Sequence, residues 1–489
     1  MTNNKKQTKT LFNSSESSNF ILNMTEEQYS KLASFGLMTA CFFVSVSTAF
    51  CEIQHQIAKK TSYLIAAGGL AAAGVFCMIL ALIAIIKKYI SKKAIVPVCA
   101  FAAMLVWSVI SLIDSYDTSV SLYGFPQRSE GVLATLFYIS FFITALSVKR
   151  ETALRALLDG IVLSGLLNAV WGVIQVFTGK LGRYAYISLK LKVNAASGLA
   201  QSPLFLAMLL SLSLTAAIIG AVSAESRRRR IFCLVSAAVF SFTMIFTYSL
   251  IGICGLVFAV IAAVLSVFIT KSSKKRMLSV LTVIIPAVIA VLIVDLGAVG
   301  NISSYRLYDG RELWWADSHM RIYASSSVNS DILDLDSTLD VYLYMNDKTI
   351  DMIGRSPLTG TGPEQLAYPQ IRTFGVLSPD SDISDIILQN RNIFDKCYNE
   401  YLYIAATRGI PALIALAALI VSVLFIGYKK MKEEHDTERT SLFFITLCGA
   451  LIFLIGCSSI AFAPLFWAAA GASCASCTGA EIPEKKKKK

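Results

Sequence analysis

The sequence predicts an all-α polytopic membrane protein of about twelve transmembrane helices with one large extracytoplasmic loop, and three observations carry that expectation. Of 489 residues, 55% are hydrophobic and only 16% charged, with a mean hydropathy of +0.62, far more apolar surface than one soluble core consumes. The apolar residues fall in runs of roughly 20, the length that crosses a bilayer. The net charge of +12 is of a size that nucleic-acid binders carry. Its Lys and Arg stand in short clusters between the apolar runs, where they act as topology signals, so no nucleic-acid partner is expected.

In chain order, residues 1–30 are polar and rich in Asn, Ser and Lys, with no apolar run followed by a small-residue cleavage site. They read as a flexible cytoplasmic tail without a signal peptide. Residues 31–299 hold transmembrane helices 1–9, with apolar runs beginning near Lys31, Ser62, Ala94, Gly131, Leu154, Pro203, Ile231, Ile251 and Met277. Residues 300–405 form the large extracytoplasmic loop. Residues 406–478 hold helices 10–12, beginning near Gly409, Ser441 and Ile460, and residues 479–489 are a basic cytoplasmic tail. The clusters Lys87-Lys88 with Lys92-Lys93, Lys149-Arg150, Arg227 to Arg230, Lys271 with Lys274 to Arg276, Lys429-Lys430 and Lys485 to Lys489 all fall on one side of this count. By the positive-inside rule both termini are cytoplasmic; only Lys59-Lys60 falls on the other side.

The opposite connections are Asp114 to Glu130, Gly179 to Gln201, and the long one. Between Gly300 and Ala405 there are fifteen Asp plus Glu against eight Lys plus Arg, the reverse of the basic side. A connection of about a hundred residues exceeds ordinary helix-to-helix links and marks a functional or separately folded segment. There is no internal repeat and no inverted pair of Gly/Pro-broken spans, which weakens a secondary-transporter reading.

Three outer patches hold residues suited to chemistry. In SYRLYDGRELWW, Ser304 to Trp315, Arg306 and Arg311 are interleaved with Tyr305, Tyr308, Trp314 and Trp315. A guanidinium grips phosphate oxygens and aromatic faces stack on sugars, while an interfacial amphipathic helix would use the same residues. In GRSPLTGTGPEQL, Pro357, Gly360, Gly362 and Pro363 punctuate a tight turn whose glycines tolerate positive φ and bring N–H groups close together. In YGFPQRSEG, Arg128 and Glu130 stand where a helix begins near Gly131, as an anion-favouring mouth or as an ordinary surface pair.

Several chemistries find no support. Of three histidines only His319 lies in the long loop, the acidic run Asp331 to Asp340 lacks calcium-loop spacing, and no nucleophile elbow is present. Ten of eleven cysteines lie in or beside apolar segments, leaving Cys397 without a disulfide partner in the loop, and Cys474-x-x-Cys477 reads as structural. No metal site and no cofactor are expected.

These patches together resemble the O-antigen ligase and Wzy-type polysaccharide polymerase family of bacterial membrane glycosyltransferases. Arg311 with Trp315 is similar to the family's Arg-x-x-x-Trp element, SPLTGTGPEQL to its Pro-Leu-x-Gly-x-Gly-Pro turn, and NEYLYIAATRGIPAL to its His-Asn-x-Tyr-Leu stretch ending in Gly-Ile-x-Gly/Ala-Leu. YGFPQRSEGVL resembles a further family feature, an Arg and Glu-Gly leading into a helix.

The resemblance implies a GT-C-like fold. It also implies transfer of a polyprenyl-(di)phosphate-linked glycan at the outer face of the plasma membrane, by polymerisation or ligation. Membrane lipid and export or chain-length proteins would be partners. Arg128, Arg311 and Arg408 would stabilise the departing phosphate, with Trp315, Gly360, Gly362 and Asn399 completing the substrate site. The family's histidine position holds Tyr398, preceded by Cys397; a phenol, with a pKa of about 10, is a poor base. Glu400 is the substitute, with Asp395 and His319 as other choices. The segment between Trp315 and Pro357 is longer than the family's, and ASGLAQSP, Ala196 to Pro203, lacks the asparagines common there. A non-catalytic relative that binds lipid-linked glycan or scaffolds export, and a transporter or flippase, are the alternatives.

Overall fold

A helix begins within five residues of each of the twelve predicted starts. The computed structural model describes residues 24–57, 62–125, 128–179, 183–186, 192–200, 202–295, 338–373 and 394–477. Arg311, Trp315, His319, Lys59-Lys60 and both predicted tails beyond those bounds lie outside the described residues. In order, the first helices are α1 Glu26–Ile57, α2 Ser62–Ile86, α3 Ile95–Ile110, α4 Thr118–Tyr123, α5 Val132–Leu146 and α6 Glu151–Thr178. Next come α7 Pro203–Ser223, α8 Arg227–Ile245, α9 Leu250–Ile269, α10 Leu281–Asp295, α11 Thr338–Arg355 and α12 Ala367–Thr373. The last are α13 Glu400–Arg408, α14 Ile410–Glu434, α15 Thr437–Ile452 and α16 Ala463–Cys474.

Among the described residues, seven helices are long and apolar enough to cross a membrane: α2, α3 with its leading turn, α6, α7, α9, α10 with its leading turn, and α14. Helices α5 and α16 are apolar but shorter, and α8 opens on four arginines. The chain is therefore a polytopic membrane protein. Its helical class has one exception in the described residues, an antiparallel pair of strands, β1 Arg183–Tyr186 and β2 Lys192–Ala195, with Arg183 opposite Ala195.

Helix α7 is apolar all round, and every one of its residues is buried, as such a helix must be. It is surrounded by α6, α8, α9 and α15. Two of its hydroxyls return to their own backbone, Ser211 donating to the Ala207 carbonyl at 2.7 Å and Thr215 to that of Ser211 at 2.8 Å, while Ser213 donates to the Ile161 carbonyl of α6 at 3.0 Å, so these hydroxyls are satisfied where water is absent. The extended segment before α7 obeys the same rule. The Gln175 side-chain oxygen accepts from the Ser197 and Gly198 N–H groups at 3.1 and 2.8 Å, and Asn168 accepts from Leu199 N–H at 3.0 Å. The amides absent from ASGLAQSP are supplied from α6.

Exposed apolar surface lies on the outer sides of peripheral helices, where Val421 and Phe425 of α14 are among the most exposed large apolar side chains. The hairpin of α15 and α16 is broken by a non-helical tip, residues 453–462, which packs on the start of α13: Glu400 N–H donates to the Phe453 carbonyl at 2.8 Å, and the Tyr401 hydroxyl donates to that of Ala450 at 2.9 Å.

Candidate active site

The stretch from Phe394 to Leu413 builds one wall of a buried cavity. Asn399 caps α13, its side-chain oxygen accepting from Leu402 N–H at 3.1 Å, which satisfies a free helix-end donor. The cap fixes the rotation of α13. Glu400, Tyr403, Ile404 and Arg408 then lie along one side, as positions near i+4 and i+8 do, and all four line the cavity. Lys396 joins them from the preceding turn. Tyr398 is 2% exposed and packs in the apolar core, and it is not part of the cavity lining.

The turn predicted at Pro357 to Pro363 forms with Gly360 and Gly362 at φ of +70° and +95°. Its N–H groups are taken up by protein: those of Gly360, Thr361 and Gly362 donate to the carbonyls of Ser356, Ala406 and Thr407 at 3.0, 3.0 and 2.9 Å. The last two satisfy the end of α13 and the first closes the turn itself, instead of presenting a cradle to a ligand. Further ties come from Gln365, whose side-chain oxygen accepts from Tyr116 and Asp117 N–H groups at 2.6 and 3.2 Å, and from Trp107, which donates to the Leu358 carbonyl at 2.6 Å. What the turn delivers to the cavity is Glu364, a non-glycine residue at φ +64°. Such backbone strain persists only where the surroundings impose it.

Four segments thus meet around one ammonium. Lys396 Nζ donates to Glu130 Oε2 at 2.6 Å and to the Ser458 carbonyl at 3.0 Å, and it lies 3.4 Å from Glu364 Oε1. It also sits 5.0 Å from the centre of the Tyr403 ring. Glu130 Oε1 accepts from the Tyr138 and Ser458 hydroxyls at 3.1 and 2.7 Å, and Glu364 Oε1 accepts from the Tyr403 hydroxyl at 2.7 Å. Ser458 N–H donates to Glu400 Oε2 at 2.7 Å. Arg128 pairs with Asp395 at the more exposed edge. The sequence left open whether Arg128 and Glu130 pair with each other; they pair instead with adjacent residues of the facing segment, Asp395 and Lys396.

Arg408 is 7% exposed and donates to the Ser108 and Thr135 hydroxyls, both at 3.1 Å. Neither acceptor is charged, and no carboxylate among the described residues forms an ion pair with it. Its Nε and Glu364 Oε2 are both buried without a hydrogen-bond partner among the described residues. The cavity they share has a volume of about 30 Å3, enough for about two or three waters at ~10–15 Å3 each. Met104, Leu416, Phe453 and Trp467 close its apolar side. Ser108 lies near the end of α3 and Thr135 near the start of α5, so the cavity stands at the end of these helices remote from their basic clusters.

Electrostatics separate two of the carboxylates, Glu400 and Glu364, which lie outside the long apolar spans. Burial pushes Glu400 up to about 7, with Lys396 opposing and Glu130 reinforcing. Glu364 is driven the other way: burial would raise it, but Lys396 and then Arg128 hold it below the usual carboxylate range. Lys396 is buried too, yet Glu130 and Glu364 keep it protonated well above the ordinary lysine value. The cavity thus sets a carboxyl shifted toward neutrality beside a buried guanidinium bonded to two neutral hydroxyls, and such perturbed groups are found in functional sites as well as in structural ion networks.

Residues 235–417 match the family model described as O-antigen ligase. This segment, a little over a third of the chain, is similar to the O-antigen ligase family. No curated protein matches the chain. The matched segment supplies Glu364, Lys396, Glu400, Tyr403 and Arg408, while Glu130, Tyr138 and Ser458 come from the flanks on either side. Together with the apolar helices, the match supports a membrane protein of surface-polysaccharide assembly.

Sequence reading had singled out Glu400 and Arg408, both in the cavity wall, Arg128 at its edge, and Asn399, Gly360 and Gly362, which support it. It did not select Lys396, Glu364, Tyr138, Tyr403 or Ser458. The one signal for Lys396 was complementarity: Arg-x-Glu at 128–130 against Asp-Lys at 395–396.

Proposed function

We propose that the protein is a membrane glycosyltransferase that polymerises or ligates polyprenyl-(di)phosphate-linked glycans at the outer face of the plasma membrane, with both termini cytoplasmic and about twelve crossings. The observation that carries this reading is the pairing, on one face of α13, of a carboxyl titrating near 7 with a buried cation that lacks a carboxylate partner among the described residues. Transfer needs both. An acceptor hydroxyl attacks the anomeric carbon, its proton passes to a base, and the bond to the lipid phosphate breaks with the electron pair going to phosphate oxygen.

Glu400 is the base in this scheme, since a pKa near the working pH suits proton abstraction. Arg408, with Arg128 at the edge and Arg311, stabilises the charge that develops on the leaving phosphate. Trp315 stacks on the glycan; Gly360, Gly362 and Asn399 hold α13 in place. Tyr398 contributes packing under the site. The cavity has room for the acceptor hydroxyl in place of a water, and the glycan lies over the Arg128–Asp395 edge. Membrane lipid surrounds the donor's tail, and chain-length or export proteins would take up the product.

The test is transfer by purified protein in lipid nanodiscs given a polyprenyl-diphosphate-linked oligosaccharide and a glycan acceptor. Wild type should release polyprenyl diphosphate and lengthen the acceptor, and Glu400→Gln should do neither while still retaining donor. Tyr398 at the histidine position favours a second reading, a relative that binds lipid-linked glycan without turning it over. Donor bound by wild type with no release of polyprenyl diphosphate would establish that reading instead.

A further inference from the structure

The network around Lys396 is more elaborate than anchoring a loop requires. The side chains of Lys396, Glu130 and Glu364 are 3%, 5% and 1% exposed. Burying an ammonium costs several kcal/mol before its partners compensate. Both partners arrive on backbone with positive φ or directly after it, Glu364 at +64° and Ser129, before Glu130, at +55°. Three separate chain segments therefore accept strain or desolvation to place one positive charge at this point.

Ser458 shows where that charge acts. This one residue uses three groups on three partners: its carbonyl accepts from Lys396, its hydroxyl donates to Glu130, and its N–H donates to Glu400 Oε2. Lys396 and Glu400 are thus joined through a single peptide unit and its neighbour, in a segment with no helical hydrogen bonds to hold it otherwise.

We propose that Lys396 is a positioning residue for Glu400: its ammonium, fixed by Glu130 and Glu364, orients Ser458 toward the Glu400 carboxylate and stabilises that carboxylate's charge. The groups that face Glu400 are Lys396 from the preceding turn, Glu130 from the start of α5, Arg408 from α13 itself, and Ser458 from the tip between α15 and α16. Glu364, Cys457 and the Arg128–Asp395 pair stand behind them. Lys396 and Arg408 favour the charged form and Glu130 opposes it, so the removal of Lys396 leaves Glu400 with one cation fewer against the same burial. The proposal rests on Glu400 being the base, yet its test does not depend on turnover.

The measurement is an infrared pH titration of the full-length protein in nanodiscs, with the Glu400 carboxyl band assigned by its loss in Glu400→Gln. It is made on wild type, on Lys396→Arg, and on the charge-balanced pair Lys396→Met with Glu364→Gln, which avoids stranding Glu364 should the single variant fail to fold. The expected result is a wild-type midpoint near 7, an upward shift of at least about one pH unit, a tenfold change in proton affinity, in the double variant, and a much smaller shift in Lys396→Arg. A midpoint that stays in place in the double variant overturns the proposal. Transfer activity of Glu400→Gln is read separately. Full activity there removes the base assignment, while the titration still decides whether Lys396 governs the Glu400 charge.

Discussion

Replacing Arg408 by Met separates a functional cation from a structural one. In wild type the guanidinium is buried at 7% exposure and held by two neutral hydroxyls at 3.1 Å. Charged hydrogen bonds contribute about 1.5–3 kcal/mol each, so the pair returns roughly 3–6 kcal/mol. The desolvation of an ion costs several kcal/mol. These nearly cancel, and a thioether beside Met104, Leu416 and Trp467 regains apolar contact, so the net stability change of Arg408→Met should fall within about 1–2 kcal/mol of zero.

Transfer should behave differently. Removing a preorganised stabiliser of the leaving group lowers turnover about 10²–10³-fold. Arg408→Lys should lie between the two, since an ammonium cannot reproduce a planar fork. The assay is thermal unfolding of purified protein in nanodiscs together with single-turnover release of polyprenyl diphosphate. A large loss of melting temperature with activity per folded molecule preserved would refute the argument, because Arg408 would then be a structural tie between α3, α5 and α13.

Other outcomes follow from the same geometry. Because the native pKa of Glu400 is raised, the stability it contributes is full below its unfolded pKa of about 4.3 and is lost as pH rises through about 7. Glu400→Gln should therefore gain stability relative to wild type on going from pH 5 to pH 8.5, seen as a growing difference in melting temperature, while wild-type transfer rises over the same window. Gly360→Ala places a Cβ 2.4 Å from the Thr407 carbonyl carbon and 2.5 Å from Arg408 N at φ +70°. It should cost more than the ~1–2 kcal/mol of a left-handed residue and lower activity with it. Gly354→Ala, with nothing within 4 Å, should be neutral to stabilising by thermal unfolding.

Helix positions were legible because apolar runs of bilayer length and basic clusters are local signals, readable one segment at a time. Crossing number is less so: α5 and α16 have 15 and 12 residues, about 22 and 18 Å at 1.5 Å per residue, and neither reaches bilayer length alone. The strands at 183–186 and 192–195 carry no strong alternation, and their pairing is a matter of tertiary context. In the site, Glu400 and Arg408 were readable because they share a helix whose face is fixed by a capping asparagine. Lys396, Glu364 and Ser458 were not, because their meaning lies in contacts across 266, 62, 39 and 58 positions of sequence. A buried ion cluster assembled from distant turns leaves no periodic trace. The turn at 357–363 shows the converse case: its positive-φ glycines were foreseen, but the carbonyls that consume its N–H groups belong to another element.

The histidine position supplies the sharpest separation between motif and geometry. Tyr398 lies before the capped turn of α13, and its side chain enters the apolar packing, while Lys396 and Glu400 on either side of it reach the cavity. An imidazole placed at 398 would inherit that burial, and desolvation disfavours its charged form, so it would be both misdirected and hard to protonate. Tyr398→His should therefore leave the activity of Glu400→Gln unrestored, and in the wild-type background it should act only through packing, as a modest fall in melting temperature. Recovery of transfer by the double variant to within tenfold of wild type would show that position 398 reaches the reacting hydroxyl. The base would then be set by the motif position and not by the face of α13.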